Sequence, residues 1–234
     1  MLNARTLSRI FSSISELMEQ NRDYLVRLDQ VNGDGDLGIS MDDGFRAAAA
    51  FFAESLESGE ETDLGRLLRR GGKVLNEAAP SSLGTILAFG LMGMAKRLRG
   101  NQEVDVIAAV GALDAGVQNM MDKAESKPGE KTIIDALVPG VEVLRGGAAR
   151  VAGDAEAERA LLRDAAAAAA AGSEATRQME AVHGRAAYSA ERSIGVLDGG
   201  SVVGRLIFAG IASAPAGAPS GPTPTDRLPA AGRP

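Results

Sequence analysis

The sequence predicts an all-α fold, and three observations carry that expectation. Apolar residues recur at helical spacing along most of the chain. No run of β-branched residues alternates with polar ones for long enough to build a sheet. The run Ala165 to Ala171 has the best helix propensity available, with no bulk to hold neighbours away. With 234 residues and 45% hydrophobic content the chain can close one sizeable core, expected as one domain over residues 1–213.

The elements follow in order. Leu7, Ile10, Phe11, Ile14, Leu17 and Met18 share one face of a first helix. A second, over 41–57, follows Ser40-Met41-Asp42-Asp43, which matches a capping box with Ser40 as N-cap and Asp43 reaching back. Leu64, Leu67, Leu68 and Leu75 stripe a third. Pro80 fits the first position of a fourth, over 81–98, where a missing N–H costs nothing. A fifth covers 103–123, and a Pro-Gly turn puts Lys131 and Thr132 at the start of a sixth, over 132–149. The alanine run lies in a seventh, over 154–181, read as a helix that lets its neighbours approach closely. Helices over 184–193 and 201–213 complete the set. From Ala214 the composition turns to Pro, Gly and Ala, with too little apolar surface to offset ordering, so residues 214–234 are expected to be a disordered tail.

Composition narrows the function. The chain has no Cys, which removes disulfides, thiolate metal sites and a Cys nucleophile. A net charge of -6 argues against nucleic acid, whose binding is driven by Lys and Arg neutralising phosphates. The first twenty residues carry charge every few positions, unlike a signal peptide, and the longest apolar run, Leu83 to Ala95, is too short to span a bilayer. A soluble cytoplasmic protein without a membrane partner is expected.

The stretch "LDQVNGDGDLGISMDDGF", residues 28–45, crowds five acidic residues and four glycines between two helices. Asp29, Asp34 and Asp36 follow the spacing D-x4-D-x-D, and Gly33, Gly35 and Gly38 let the backbone fold tightly enough to bring the three carboxylates together. Three anions that close repel unless a cation lies among them, and hard oxygens suit Mg²⁺ or Ca²⁺. Two other readings stand beside this one. Asn32, Asp34, Asp36 and Asp43 have the spacing of a calcium EF-hand loop, although Leu37 occupies the position that requires Gly. A solvated acidic turn without metal is the other.

Three more stretches add polar groups. In "NEAAPSSLGT" the helix start offers Ser81, Ser82 and unpaired N–H groups, suited either to an anion or to simple capping. In "HGRAAYSAERSIGVLDGGS", Arg185 could hold a phosphate through two hydrogen bonds. His183, the only histidine, has a solvent or capping role rather than a catalytic one.

Together and in this order, "LDQVNGDGDLGISMDDGF", "APSSLGT", "PGEKTIIDALVP" and "GRAAYSAERSIGVLDGGS" resemble the nucleotide-binding L subunit, or equivalent domain, of dihydroxyacetone kinases, over roughly residues 5–213. The resemblance implies an antiparallel eight-helix barrel whose loops at one end hold ADP or ATP through Mg²⁺. It implies Asp29, Asp34 and Asp36 as metal ligands. Around the nucleotide it implies Leu37, Gly38, Ile39 and Ser40; Ala78, Ala79, Ser81, Ser82 and Thr85; and Ile133, Arg185, Asp198, Gly199 and Gly200. The family's common "GDGDHG", "GGASGPLYGT" and "DPGA" are here "GDGDLG", "NEAAPSSLGT" and "DGGS". These departures bear on phosphate and base contacts and suggest a divergent branch, with a longer keto sugar such as a tetrulose among its substrates.

The resemblance further implies half of an enzyme: a kinase subunit donating phosphate to a substrate held by a separate K subunit. It leaves open ATP as substrate or an ADP recharged by a phosphotransferase-system M subunit, and a homodimer. A nucleotide-binding regulatory module and a metal-dependent phosphatase-like hydrolase remain the other two readings.

Overall fold

Each long helix has one apolar face that it cannot bury alone, so consecutive helices pack side by side. The computed structural model describes residues 1–214, apart from the side chains of Ser189, Ala190 and Arg192. The expected tail beyond Ala214 lies outside the described residues, and Ala214 itself is buried at the end of the last helix.

Among the described residues there are eight long helices: α1 (Ala4–Asp29), α2 (Leu37–Ser58), α3 (Leu64–Ala78), α4 (Ser82–Leu98), α5 (Val106–Ala124), α6 (Ile134–Val151), α7 (Ala155–Ala175) and, after the single-turn α8 (Ala190–Ser193), α9 (Gly199–Ser213). Each packs on the next, and α9 packs on both α7 and α1, which closes the ring. Short connections between packed neighbours make the helices alternate in direction. The barrel therefore has two ends. One gathers the connections 30–36, 79–81, 125–133 and 176–198. At the other, β1 (Leu2–Asn3) pairs antiparallel with β2 (Glu103–Val104), and Asp63 accepts the Gly100 N–H at 2.8 Å. No helix among the described residues is long and apolar enough to cross a membrane.

The predicted stripes are the core. Leu7, Phe11, Ile14, Leu17 and Met18 of α1 are buried, as are Leu64, Leu67, Leu68 and Leu75 of α3. The Phe11 and Phe52 rings stack at 4.3 Å across α1 and α2. In the alanine run Ala165 and Ala169 are fully buried, and Gly172 meets α6 where Pro139 interrupts it. Pro139 has no N–H for the Asp135 carbonyl four residues back, and the Gly172 backbone lies against that carbonyl and the proline ring.

Helix starts differ from the sequence reading in instructive ways. Side-chain caps open α1 (Asn3), α3 (Asp63), α4 (Ser81), α5 (Asp105), α7 (Asp154) and α9 (Asp198). Pro80 therefore precedes the N-cap of α4 instead of occupying its first turn. Ser40 is not a cap: α2 begins at Leu37, and Asp43 pairs with Arg46 at 2.8 Å rather than reaching back. The helix expected over 154–181 ends at Ala175, followed by a 3₁₀ turn, Thr176–Gln178. The one expected over 184–193 is a 3₁₀ segment, Arg185–Ser189, followed by α8.

Two glycines test this packing in opposite directions. A Cβ at Gly172 would strike the Asp135 carbonyl, so Gly172→Ala is expected to cost about 1–3 kcal/mol of folding stability. Gly146 lies inside α6 with open space beside it, so Gly146→Ala should add roughly 0.5–1 kcal/mol. Urea unfolding of the two variants checks both signs.

Candidate functional site

The turn between α1 and α2 is built to bring carboxylates together. Asp29, the last residue of α1, accepts the Gly33 N–H on its carbonyl at 2.6 Å and the Gly35 N–H on its carboxylate at 2.7 Å. Gly35 has φ +81°, a conformation strained for residues with a Cβ, and a side chain at Gly33 would strike the Asp29 carboxylate. Asp36 occupies the N-cap position of α2 without making a cap hydrogen bond, so its carboxylate is left to face the other two.

Asp29, Asp34 and Asp36 each bring a carboxylate oxygen within 4.8 Å of the others. Burial, and then the charges of Asp34 and Asp29, hold the Asp36 carboxyl above the ordinary carboxylate range. Such a set of hard oxygens fits one divalent cation of the Mg²⁺ type. The EF-hand reading fails, because Asp43 sits inside α2 and turns to Arg46. Its neighbour Asp42 is buried between Arg46 at 2.7 Å and Arg22 at 3.5 Å.

The other predicted residues gather at the same end of the barrel. Leu37 leans over Gly199, where a Cβ would strike it, so the starts of α2 and α9 meet there. Gly38 lies against the Arg22 carbonyl and Ile39 is exposed. The Ser40 hydroxyl donates to Ser81 Oγ at 2.9 Å, joining α2 to the α4 start. Ala78 ends α3, and Ala79 is wholly buried below Gly84. Ser82 opens α4, and Thr85 Oγ1 donates to Asn76 Oδ1 at 3.0 Å. A side chain at Gly200 would meet the Ile133 amide, so α9 starts against the α5–α6 connection. Arg185 Nη1 stands 2.6 Å from Asp34 Oδ2, which carries the long 176–198 connection to the carboxylate cluster. A cleft of about 690 Å³ opens beside these groups, lined by Asn76, Ser81, Thr85, Phe89, Ile133 and His183.

Sequence reasoning missed the residues that hold this arrangement. Lys131 is not at a helix start: it is buried in a left-handed conformation at φ +61°, two residues before the Ile133 N-cap of α6. Asp135, in the first turn of α6, reaches back to the preceding connection, accepting the N–H groups of Thr132 at 2.7 Å and Gly129 at 2.5 Å, while Thr132 Oγ1 accepts the Ile134 N–H at 3.2 Å. His183 Nε2 lies 2.7 Å from Glu130 Oε2, and this hydrogen bond, with the Lys127 N–H, holds the Glu130 carboxyl below its ordinary range. The crowding of Glu130, Lys131 and Asp135 in one short stretch was the available signal.

Asp198 caps α9 through Ser201 N–H at 2.5 Å, and its own N–H donates to Thr176 Oγ1 at 3.0 Å. Burial, helped by Asp135 and Asp29, pushes its carboxyl up to about 7, against the pull of Ser201 N–H and Lys131.

Residues 31–213 match the DAK2 domain family. The chain is 30% identical over 201 residues to the PEP-dependent dihydroxyacetone kinase 2, ADP-binding subunit DhaL, of Listeria innocua, covering 86% of this chain and 90% of that protein. It is 34% identical over 200 residues to the D-erythrulose kinase of Mycolicibacterium smegmatis, covering 85% of this chain but 33% of that protein. Two crystal structures of the dihydroxyacetone kinase of C. freundii share the fold at a TM-score of 0.66, one in the native form at 25% identity and one in complex with AMP-PNP and Mg²⁺ at 23%. The chain spans about a third of the length of those crystal chains, aligning with 35% and 34% of them.

The raised Asp198 carboxyl gives a pH signature. Between its ordinary value of 3.8 and about 7 the folded chain keeps a proton that the unfolded chain has lost. Stability from this group therefore falls as pH rises through that window, and the full penalty applies above 7. Asp198→Asn keeps a capping oxygen and removes the titration. In EDTA its melting temperature should exceed the parent's at pH 8, with the difference shrinking toward pH 4. A difference independent of pH would contradict the assignment.

Proposed function

This chain belongs to the DAK2 domain family, and from that membership we propose that it is the Mg–nucleotide subunit of a keto-sugar kinase, donating phosphate to a substrate held by a partner. The observation that carries the reading is the convergence of Asp29, Asp34 and Asp36 at the barrel end where four helices begin. The three carboxylates would hold Mg²⁺, which, when bound, neutralises phosphate charge and draws charge from the transferring group.

The chain's own residues supply the remaining work. The first turns of α4 and α9 offer N–H groups at Ser82, Leu83, Gly199 and Gly200 that a helix cannot satisfy internally, and such starts suit phosphate oxygens. Arg185 is within reach of the same oxygens through its place beside Asp34, and once a cation takes over that carboxylate it can turn to phosphate. Leu37, Gly38, Ile39 and Ser40 form the rim between the two helix starts. Thr85 and Ile133 line the cleft that would receive the nucleoside part of ADP or ATP, and Ala78 and Ala79 lead the chain into it at Pro80.

Transfer needs an acceptor hydroxyl held in line with the phosphate. The one histidine, His183, is engaged with Glu130, so capture of a carbonyl substrate falls to a K-type partner. Exposed apolar side chains around the carboxylates, Ile39 in the first turn of α2 and Val31, Val182, Tyr188 and Ile194 in the connections, support docking of that partner over the site. The erythrulose-kinase likeness supports a tetrulose as well as dihydroxyacetone. The Listeria likeness supports an ADP that stays bound and is recharged by an M-type donor.

Titration calorimetry tests the nucleotide site. ADP should bind with Mg²⁺ and lose affinity by roughly ten-fold or more in EDTA, about 1.4 kcal/mol, because its phosphates would then face three bare carboxylates. Asp34→Asn should show the same loss. Equal affinity in EDTA would remove the proposal.

A coupled assay tests the division of labour. With ATP, Mg²⁺ and dihydroxyacetone or erythrulose, the chain alone should give negligible sugar phosphate, and a K-type subunit should restore turnover. Robust turnover by the chain alone, abolished by His183→Ala, would make it a self-sufficient kinase instead.

A further inference from the structure

Lys131 stands where a lysine has no local reason to be. At φ +61° glycine or asparagine is the ordinary choice, and the side chain is buried. Its Nζ donates to three backbone carbonyls, Thr176 at 2.6 Å, Val196 at 2.7 Å and Ser193 at 2.8 Å. Three acceptors at those distances use all three N–H bonds of an ammonium, so the charged form is the one held, although burial pulls its pKa below the ordinary lysine range.

The three carbonyls come from the two ends of one excursion of the chain. Thr176 lies where α7 gives out, while Ser193 and Val196 lie where the chain returns toward α9. One ammonium thus ties both sides of the neck of the 177–197 loop to the α5–α6 connection, beside the Gly195 N–H bond to the Arg177 carbonyl at 2.7 Å that crosses the neck itself. The adjacent Glu130 grips the same loop further out, its carbonyl accepting the Val182 N–H at 3.4 Å and its carboxylate meeting His183. Arg185 sits three residues beyond Val182, 2.6 Å from Asp34.

We propose that Lys131 is a positioning residue for nucleotide binding: by closing the neck of the 177–197 loop from the α5–α6 connection, it fixes Arg185 beside the carboxylate cluster, where phosphate oxygens would lie. Lys131 touches neither metal nor nucleotide in this role. It acts through Arg185. The inference rests on the nucleotide reading of the site.

The test uses Lys131→Met, which keeps the stem and removes the donors, and Lys131→Gly, which removes the donors and relieves the backbone. Hydrogen exchange without ligand should show amides of residues 179–197 exchanging roughly ten-fold faster in both variants, with α1 to α4 unchanged. Calorimetry should show the Mg–ADP dissociation constant raised by roughly ten-fold, while Mn²⁺ alone binds the carboxylates within about two-fold of the parent. In an Arg185→Ala background the further loss from Lys131→Met should fall to about two-fold or less, since coupled residues are not additive. Full additivity, unchanged exchange in 179–197, or parent-like Mg–ADP affinity in both variants would overturn the proposal. A parent chain that fails to bind Mg–ADP would instead remove the nucleotide reading, and the ligand-free exchange would still decide whether Lys131 holds the loop.

Discussion

The packing of α9 against α1 is the contact on which the site depends. It closes the ring, and it does so through a near-touch of backbones: Gly210 of α9 lies against the backbone of Ile14, where a Cβ would approach within 3.0 Å. Once that seam is shut, the start of α9 lies beside the end of α1. Residues 198–200 then share a surface with Asp29, some 170 positions earlier in the chain. An open row of helices would carry the same side chains and leave them apart.

Charge sets the second constraint. Three carboxylates meet at the α1–α2 turn and a fourth, Asp198, stands close enough for Asp29 to raise its pKa. Arg185 offsets one of these charges directly, through Asp34. Lys131 offsets Asp198 at longer range while its hydrogen bonds go to backbone carbonyls. What remains is a surplus of negative charge that a divalent cation would relieve, consistent with a surface shaped for the phosphates of a metal-bound nucleotide. The absence of a capping bond from Asp36 belongs to the same economy, since a carboxylate committed to N–H groups would be less available to a cation.

The polar groups beneath the site are satisfied by one another. Ser173, Thr176 and Ser201 share hydroxyl contacts at 3.0 and 3.4 Å in the buried interface of α7 and α9. Thr176 also receives the Asp198 N–H and gives its carbonyl to Lys131. One threonine therefore links the helix cap, the loop neck and the α7 end, and a buried polar network of this kind specifies a single arrangement only while every member is paired.

Much of this was legible in the sequence, for local reasons. Helical periodicity located the long helices, because burial of one face is written every three or four residues, as in Leu64, Leu67 and Leu68. The D-x4-D-x-D spacing with its glycines located the carboxylate cluster, because all three residues lie in one turn. Helix starts at Ser40 and Pro80 were misread, since which residue caps a helix depends on where the preceding chain enters it. The contacts of Lys131 could not be read from sequence, although its crowding with Glu130 and Asp135 marked the stretch, because its three partners lie 45 to 65 positions away and are backbone atoms, which leave no mark on residue type. The sequence by itself determined the long helices, the acidic turn and the family; only the tertiary structure decided which distant loops meet over that turn, because closing the ring is a contact between the first and last helices of the chain rather than a property of any segment.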